Sequence, residues 1–352
     1  MCVIELSYLY MKKQFFLFFS FLPISVLAIL GGNHTFSFID MQKSPRSVAM
    51  GGMSIAIVDN DVSLAQVAPS LLNSRMHRVL SFSIIDYFAD LNSVSAYYAH
   101  DFNSFGVISI GIDAMNYGSF IATDATGSEQ GSFTANDQLM TLGVGKLLSS
   151  EFSFGANIRF LNSNYEAYHS LAISSDISAT YYNKGSEFIA TFILKNLGSQ
   201  LISYTDLKEE KPFELQFGLS KLLKHLPFRY SIGIHNLNTY DIGNSFSPQM
   251  ITDPVTQQLV VKEETVAKNI LRHLVIGGEL NPFRKNLYIR GGFNFQRRFD
   301  LLLDTYPSMV GFSWGLGFKV SNLHFNYARS AYHLSAVTNY FSISTNLANF
   351  GF

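Results

Sequence analysis

Apolar and polar side chains alternate with a period of two in several stretches of this chain. In EFSFGANIRFL, residues 151–161, every second residue from Phe152 to Phe160 is apolar, and the residues between them are polar or glycine. The stretches PFELQFGLSKL (212–222) and SMVGFSWGLGFKV (308–320) follow the same rule. Because successive side chains of a β-strand point to opposite faces of the sheet, this period predicts strands with one apolar and one polar face.

The composition favours a membrane as the place for these strands. Hydrophobic residues make up 47% of the chain and charged residues 14%, whereas charged residues make up about 25% of an ordinary soluble domain. Beyond residue 28, no apolar run reaches the roughly 18 residues of a transmembrane helix. The apolar faces are therefore expected to meet lipid, at Phe154, Ile158, Phe312 and Leu316, and the opposite faces to line a lumen, at Asn157, Arg159, Ser313 and Lys319.

The same alternation would suit a soluble β-sandwich, but two features favour a membrane barrel. The predicted strand ends carry tyrosines, as in the aromatic girdles of membrane barrels, at Tyr97, Tyr98, Tyr181, Tyr182, Tyr230, Tyr288 and Tyr327. The opposite faces are polar or glycine-rich, which suits a lumen. Since an open sheet edge would leave backbone groups unpaired in lipid, we predict an all-β fold. It is a closed, transmembrane antiparallel β-barrel of about 14 strands over residues 77–352.

The first 28 residues have the features of a secretory signal peptide. Lys12 and Lys13 precede an apolar run that ends in small residues at Ala28, and Met11 is a candidate for the true start. An uncleaved membrane anchor is the alternative. The only cysteine, Cys2, precedes the signal, so we expect no disulfide, lipid-anchoring cysteine or thiolate metal site in the mature protein. Export of a strand-rich chain predicts a location in the outer membrane and contact with its lipid.

Residues 31–73 carry the most specific motifs of the chain. They read GGNHTFSFIDMQKSPRSVAMGGMSIAIVDNDVSLAQVAPSLLN. This segment resembles the start of the PorV/PorQ family, and PorQ more closely. The residues that carry the family's motifs are Arg46, Gly51, Gly52, Asp59, Asp61 and Pro69. The family usually continues with Asn-Pro-Ala-Leu-Leu, whereas this chain reads Ala-Pro-Ser-Leu-Leu at residues 68–72.

The resemblance implies a fold and a place for this segment. The PorV/PorQ family is similar to the FadL long-chain fatty acid transporters, which are fourteen-stranded barrels whose N-terminal segment folds inside as a hatch. We therefore predict a FadL-like barrel with a hatch at residues 29–76. A disordered linker is the alternative.

The residues of the segment agree with a hatch. Gly51 and Gly52 permit a positive φ and close approach to the barrel wall, and Asp61 is well placed to cap a short helix. Arg46, Asp59 and Asp61 are expected to find polar partners in the lumen.

Two other features bear on assembly and on partners. Phe352, the last residue, resembles the terminal aromatic residue by which outer-membrane barrels are recognised by the barrel-assembly machinery. The longest interruption of the strand pattern, residues 241–269, is too long and too polar for a turn, so we expect an extracellular loop with local structure of its own. It is the first candidate for a partner-binding loop.

No catalytic motif of the sequence stands in the structural context that its chemistry needs. It contains no His-Glu-x-x-His or phosphate-loop pattern, and its histidines show no ligand spacing. A Gly-x-Ser-x-Gly match occurs at residues 311–315, but it lies inside a predicted strand and not at the strand-to-helix turn that a nucleophilic serine needs. We therefore expect neither an enzyme nor a cofactor or metal, and an outer-membrane phospholipase is the remaining enzymatic alternative. The net charge of −1 gives no basic field that would attract nucleic acid.

Two functions remain. The resemblance implies a component of the type IX secretion system of Bacteroidota, which anchors a PorZ-like surface protein and supports export and surface attachment of cargo. The rival is a FadL-like transporter of hydrophobic small molecules. Such a transporter needs a continuous apolar path through barrel and hatch, and the predicted inner faces are polar or glycine-rich. This favours the anchor.

Overall fold

A computed structural model of the protein describes residues 36–87, 91–205, 208, 213–243, 250–252, 259–261, 265–283, 286–301, 309–332 and 337–351. The predicted signal peptide and the terminal Phe352 lie outside the described residues, as do parts of the 241–269 loop.

Fourteen antiparallel strands of the described residues form one closed barrel. They are β1 (Val79–Asp86), β2 (Asn92–Asp101), β3 (Val107–Thr123), β4 (Glu129–Leu147), β5 (Phe152–Tyr165), β6 (Tyr168–Asn183), β7 (Phe188–Ile202), β8 (Glu214–Leu222), β9 (Phe228–Ile234), β12 (Leu274–Leu280), β13 (Leu287–Asn294), β14 (Phe312–Val320), β15 (Leu323–Ala331) and β16 (Val337–Asn346). The first strand pairs with the last, and β9 pairs with β12. A separate two-stranded sheet joins β10 (Met250–Thr252) to β11 (Leu259–Val261). The predicted barrel of about 14 strands is confirmed, and the sandwich alternative is wrong.

The helices of the described residues are short. They are α1 (Pro45–Ala49), α2 (Val62–Ala65), α3 (Val266–Arg272) and α4 (Phe295–Leu301), with 3-10 turns at Ser37–Asp40, Pro69–Leu71, Ser74–Met76 and Leu347–Phe350. In the part of the chain that the structure describes, no helix has the length and apolar character needed to cross a membrane.

The two faces of the strands are those predicted from the alternation. Phe154, Ile158, Phe312 and Leu316 are between 39% and 47% exposed on the outside of the barrel, whereas Asn157, Arg159 and Ser313 are at most 4% exposed. By the alternation, Lys319 belongs to the same face of β14 as Ser313 and was expected in the lumen. It is exposed, because it lies near the end of the strand. The outer surface is therefore an apolar band, and the polar face of the strands lines the lumen.

The two ends of the barrel differ. At one end, which we call the turn end, strands are joined by short connections such as residues 102–106 and 321–322. The opposite end, the loop end, carries the long connections 235–273 and 295–311, which contain β10, β11, α3 and α4. In barrels of bacterial outer membranes the short turns face the periplasm and the long loops face outward. By that rule the hatch enters from the periplasmic side, because β1 begins at the turn end.

The barrel wall has unequal height. The strands β3 to β7 contain between 14 and 19 residues, whereas the other barrel strands contain between 7 and 10. A tilted strand crosses the membrane with about 9–11 residues. Since all turn-end connections are short, the surplus residues of β3 to β7 extend the wall at the loop end.

The register predicts how the barrel responds to a charge on its outer face. Ile158, near the middle of β5, is 47% exposed among apolar neighbours. Replacing it by lysine should lower the free energy of unfolding by roughly 2–4 kcal/mol, the cost of a basic side chain at the bilayer midplane. Denaturant unfolding in lipid vesicles measures this change, with Ile158→Leu as the control. An unchanged unfolding midpoint would show that this face does not meet lipid.

Candidate functional site

The described part of the hatch, residues 36–76, lies inside the barrel. Its apolar side chains Met50, Ile57 and Leu71 have no exposed surface. Backbone hydrogen bonds fix it to the wall on several sides. The Gly51 amide donates to the Ser313 hydroxyl over 3.1 Å, the Ser70 amide donates to the Ser178 hydroxyl over 2.8 Å, and the Ser220 hydroxyl donates to the Ala56 carbonyl. These residues therefore pack against the inner face of the wall.

The hatch approaches the wall closely where glycine is present on either side. Gly51 and Gly52 follow α1 and have φ angles of 93° and 94°, a conformation that favours glycine. The wall residue Gly277 faces the hatch as well, since a Cβ there would lie 2.6 Å from the Met50 carbonyl oxygen. A Cβ on Gly233 would lie 2.6 Å from the Met53 sulfur. The glycines on the lumen-facing side of the strands therefore make room for the hatch.

Arg46 connects the hatch to the barrel wall. The helix α1 that carries it begins with Ser44 as N-cap and Pro45 in its first turn. The Nε and Nη2 atoms of Arg46 each donate to a carboxylate oxygen of Glu279 on β12 over 2.8 Å. Its Nη1 donates to Asp59 Oδ2 over 2.6 Å and lies 3.6 Å from Asp61 Oδ2. Such two-pronged, charge-assisted bonds are strong and directional.

The wall completes this cluster of charges. Glu279 also accepts a hydrogen bond from Arg290 Nε over 2.8 Å, and Arg229 Nε lies 4.0 Å from it. Burial raises the pKa of Asp59, but Arg46, together with Arg229 and the Asp61 amide, holds this pKa below its ordinary value. The ion pair therefore persists at neutral pH, and it is lost only as the pH falls through this lowered pKa.

A second set of charges involves β5, β6, β7 and β8, and all of its members except Asp40 are buried or partly buried. Arg159 pairs with Asp176, whose second carboxylate oxygen accepts the Asn196 amide at 2.9 Å. Lys195 Nζ lies 3.2 Å from Asp40 of the hatch and 3.5 Å from Glu214. Of these groups, the strand alternation places Arg159 and Glu214 on polar faces. The alternation of polar residues shows which side chains face the lumen, but it does not show which charged groups pair with each other.

The predicted hatch residues fall into three places. Arg46, Asp59 and Asp61 form one cluster, and the Asp61 carboxylate caps α2 by accepting the Ser63 amide over 3.1 Å. Gly51 and Gly52 lie at the other end of α1, beside β12 to β14. Pro69 begins a 3-10 turn next to β4, β5 and β6, away from the arginine. The sequence did not reveal this separation.

Among the described residues, two cavities of similar size lie between the hatch and the turn end of the wall. The first has a volume of about 570 Å³ and is lined by the Arg46 cluster together with leucines of the β8–β9 turn, Leu222, Leu223 and Leu226. The second, about 560 Å³, lies beside Asn73 and Arg75. Within the described residues, no group of three or more His, Cys, Asp or Glu side chains could hold a metal ion.

Comparison with known proteins finds solved structures of similar architecture. No family model matches the sequence, and no curated protein matches it. Among solved structures, the Pseudomonas putida toluene transporter TodX is 12% identical, with 87% of this chain and 97% of TodX covered and a TM-score of 0.48. A Pseudomonas aeruginosa FadL homologue is 9% identical, with 86% and 98% covered and a TM-score of 0.48.

A third solved structure, the monoaromatic hydrocarbon channel CymD, is 12% identical, with 86% of this chain and 97% of CymD covered and a TM-score of 0.45. None of these similarities is specific for the PorV/PorQ family. They accompany the barrel described above and do not indicate what this chain binds.

The Arg46 cluster predicts a way to release the hatch. Arg46→Met leaves Glu279 and Asp59 with less compensation in a buried site, and breaking a buried ion pair costs roughly 3–5 kcal/mol. We expect faster hydrogen exchange and protease cleavage of residues 44–61, while the barrel keeps its heat-resistant migration on gels. Arg75→Met, which removes an exposed arginine of the same hatch, is the matched control. Equal protection of residues 44–61 in both variants would contradict this role of Arg46.

Proposed function

We propose that this protein is an outer-membrane barrel that anchors a partner protein at the cell surface. The observation that carries the proposal is a lumen filled by a hatch that is bonded to the wall on several sides. An anchor needs a stable barrel and a specific outer surface, and it needs no continuous path through the lumen. The tall wall at the loop end, formed by β3 to β7, supplies such a surface.

The charges of the lumen support an anchor over an apolar conduit. The ion pairs Arg46–Glu279 and Arg159–Asp176 lie on the inner side of the wall, with Arg46, Glu279, Arg159 and Asp176 all buried. A hydrophobic molecule passing between them would separate charges from their partners or from water, which is costly in a buried site. The hatch would also have to leave its bonds to the wall.

The finer proposal is a component of the type IX secretion system. It rests on the resemblance of residues 31–73 to the PorV/PorQ family, with Arg46, Gly51-Gly52, Asp59 and Asp61 as the matching residues. In this proposal the chain is exported by the signal at residues 1–28 and inserted by the barrel-assembly machinery through Phe352. It then holds a PorZ-like surface protein, and so supports export and attachment of cargo.

The second candidate is a FadL-like transporter of hydrophobic small molecules, and one observation favours it. The first turn-end cavity has a volume of about 570 Å³ and leucines on one side. Sites for small ligands typically have volumes of about 300–1,000 Å³ and mostly apolar linings. A ligand that crossed the barrel would leave through this cavity, between the hatch and the β8–β9 turn.

Removing the protein from cells tests the anchor. We expect the surface partner and the attached cargo to appear in the culture medium, because their holding point in the membrane is gone. Quantitative mass spectrometry of medium and envelope measures the shift, and re-expression of the full chain should reverse it. If both fractions stay unchanged in the deletion strain, the secretion proposal is wrong.

A single substitution separates the two candidates. Leu223→Trp narrows the turn-end cavity from the β8–β9 turn. A transporter would then take up a labelled long-chain fatty acid more slowly, whereas the anchor proposal predicts unchanged uptake and unchanged partner retention. Leu148→Trp changes an exposed leucine of another turn at the same end and is the control. Slower uptake confined to Leu223→Trp would favour the transporter.

A further inference from the structure

The hairpin at the top of the tall wall extends beyond its neighbours. Toward the loop end, the pairing of β3 with β2 stops at Asn116, and the pairing of β4 with β5 stops at Ala135. Beyond these points, the described residues of β3 and β4 form a ladder with each other, from Ser119–Thr134 to Thr123–Glu129, and the Glu166 amide also donates to the Thr134 carbonyl over 3.3 Å. At about 3.3 Å per residue, residues 117–134, which we call the projecting hairpin, rise about 20 Å above the adjacent strands.

The projecting hairpin has a free strand edge. Within the described residues, no backbone hydrogen bond reaches residues 119–123 from the β2 side. Native proteins usually protect such an edge with lysine, proline or a covering element. Residues 117–134 contain no Lys, Arg or Pro, and residues 119–121 are exposed. Register shifts at Asn116/Ser119 and Ala122/Thr123 border this edge, and the ladder between them is regular. A regular edge stretch without Lys or Pro is suited to receive a further strand.

The tip of the hairpin is ordered by its own hydrogen bonds. The Asp124 carboxylate accepts the Thr126 hydroxyl at 2.6 Å and the backbone amides of Thr126 and Ser128 at 2.8 and 3.0 Å. The hydroxyl and amide bonds lower the pKa of Asp124 to about 2, so the tip stays negatively charged. An edge held in position by a fixed turn loses little conformational freedom when it binds a strand.

The side chains of the hairpin indicate the chemistry of its partner. Phe120 and Phe133 stack with ring centroids 5.3 Å apart, and Ile121 is 63% exposed. The charged residues of the hairpin are Asp124 and Glu129, both acidic. A complementary surface therefore combines apolar side chains with Lys or Arg, because like charges across an interface are unfavourable.

We propose that an extended segment of the surface partner, carrying Lys or Arg beside apolar residues, adds as a strand to the free edge of β3 at residues 119–123. This inference rests on the anchor function proposed above and locates its docking site. It differs from the sequence-based expectation, which placed docking in the 241–269 loop.

Shortening the hairpin tests the site. Replacing residues 118–134 by a two-residue Asn-Gly turn removes the free edge but keeps every pairing of β3 with β2 and of β4 with β5. We expect a folded barrel with heat-resistant migration and a loss of cell-bound partner of about tenfold or more, since several main-chain bonds are lost together. Deleting residues 250–261 from the long loop is the matched control and should leave the partner bound.

Cysteine labelling tests strand addition itself. Cys2 is the only native cysteine, so Ser119→Cys and Thr123→Cys each report on the edge. On intact cells we expect the partner to protect both from a membrane-impermeant maleimide, and its removal should restore labelling. Tyr240→Cys, at an exposed loop-end residue, should be labelled in both strains. Protection that persists without the partner would mean that another occupant, such as a second copy of this chain, covers the edge.

The outcomes separate the inference from the function on which it rests. If removal of the whole protein releases the partner but hairpin shortening does not, the anchor stands and the projecting hairpin is not its docking site. Release by the 250–261 deletion alone would return the site to the long loop. If removal of the whole protein releases nothing, the anchor function itself is wrong.

Discussion

The pairing of the first barrel strand with the last is the constraint on which the rest of the structure depends. The ladder from Val79–Asn346 to Asp86–Asn339 turns a row of fourteen strands into a ring. Without it, β1 and β16 would each present unpaired backbone groups to hydrocarbon, where no water can satisfy them. Closure also creates an inside, and only an enclosed lumen allows charges such as Arg46 and Glu279 to be buried at membrane depth beside their partners.

The period-two pattern was sufficient to predict the barrel and the faces of the strands in which it is clean, except for Lys319 at the end of β14. Asn157 and Arg159 are in the lumen, whereas Phe154 and Ile158 are outside. Because one face of every strand must meet lipid, the sequence of each strand carries the alternation by itself. The hatch was predictable for a different reason, the motif around Arg46 and Gly51-Gly52. The cap at Asp61 followed from its position before a short helical stretch.

Other parts of the structure could not be predicted, since they depend on pairs of residues far apart in the chain. Arg46 meets Glu279, and Lys195 meets Asp40, only after the ring has brought their strands around the hatch. Gly233 and Gly277 mark where the hatch touches the wall, which the local sequence does not reveal. The lengths of β3 and β4 were also hidden, because their surplus residues lose the alternation: residues 120–122 of β3 are consecutive and apolar.

The closing ladder has a consequence for how the barrel is made. Most neighbouring strands are joined by connections of a few residues and can pair as local hairpins, which form quickly. The β1–β16 ladder joins residues from the two ends of the barrel sequence, so it carries the largest chain-closure entropy of all. The hatch is tethered directly before β1. Formation of the β1–β16 ladder is therefore the slowest pairing event, and it also fixes the hatch beside its wall partners. The barrel closes and its lumen is filled in the same step.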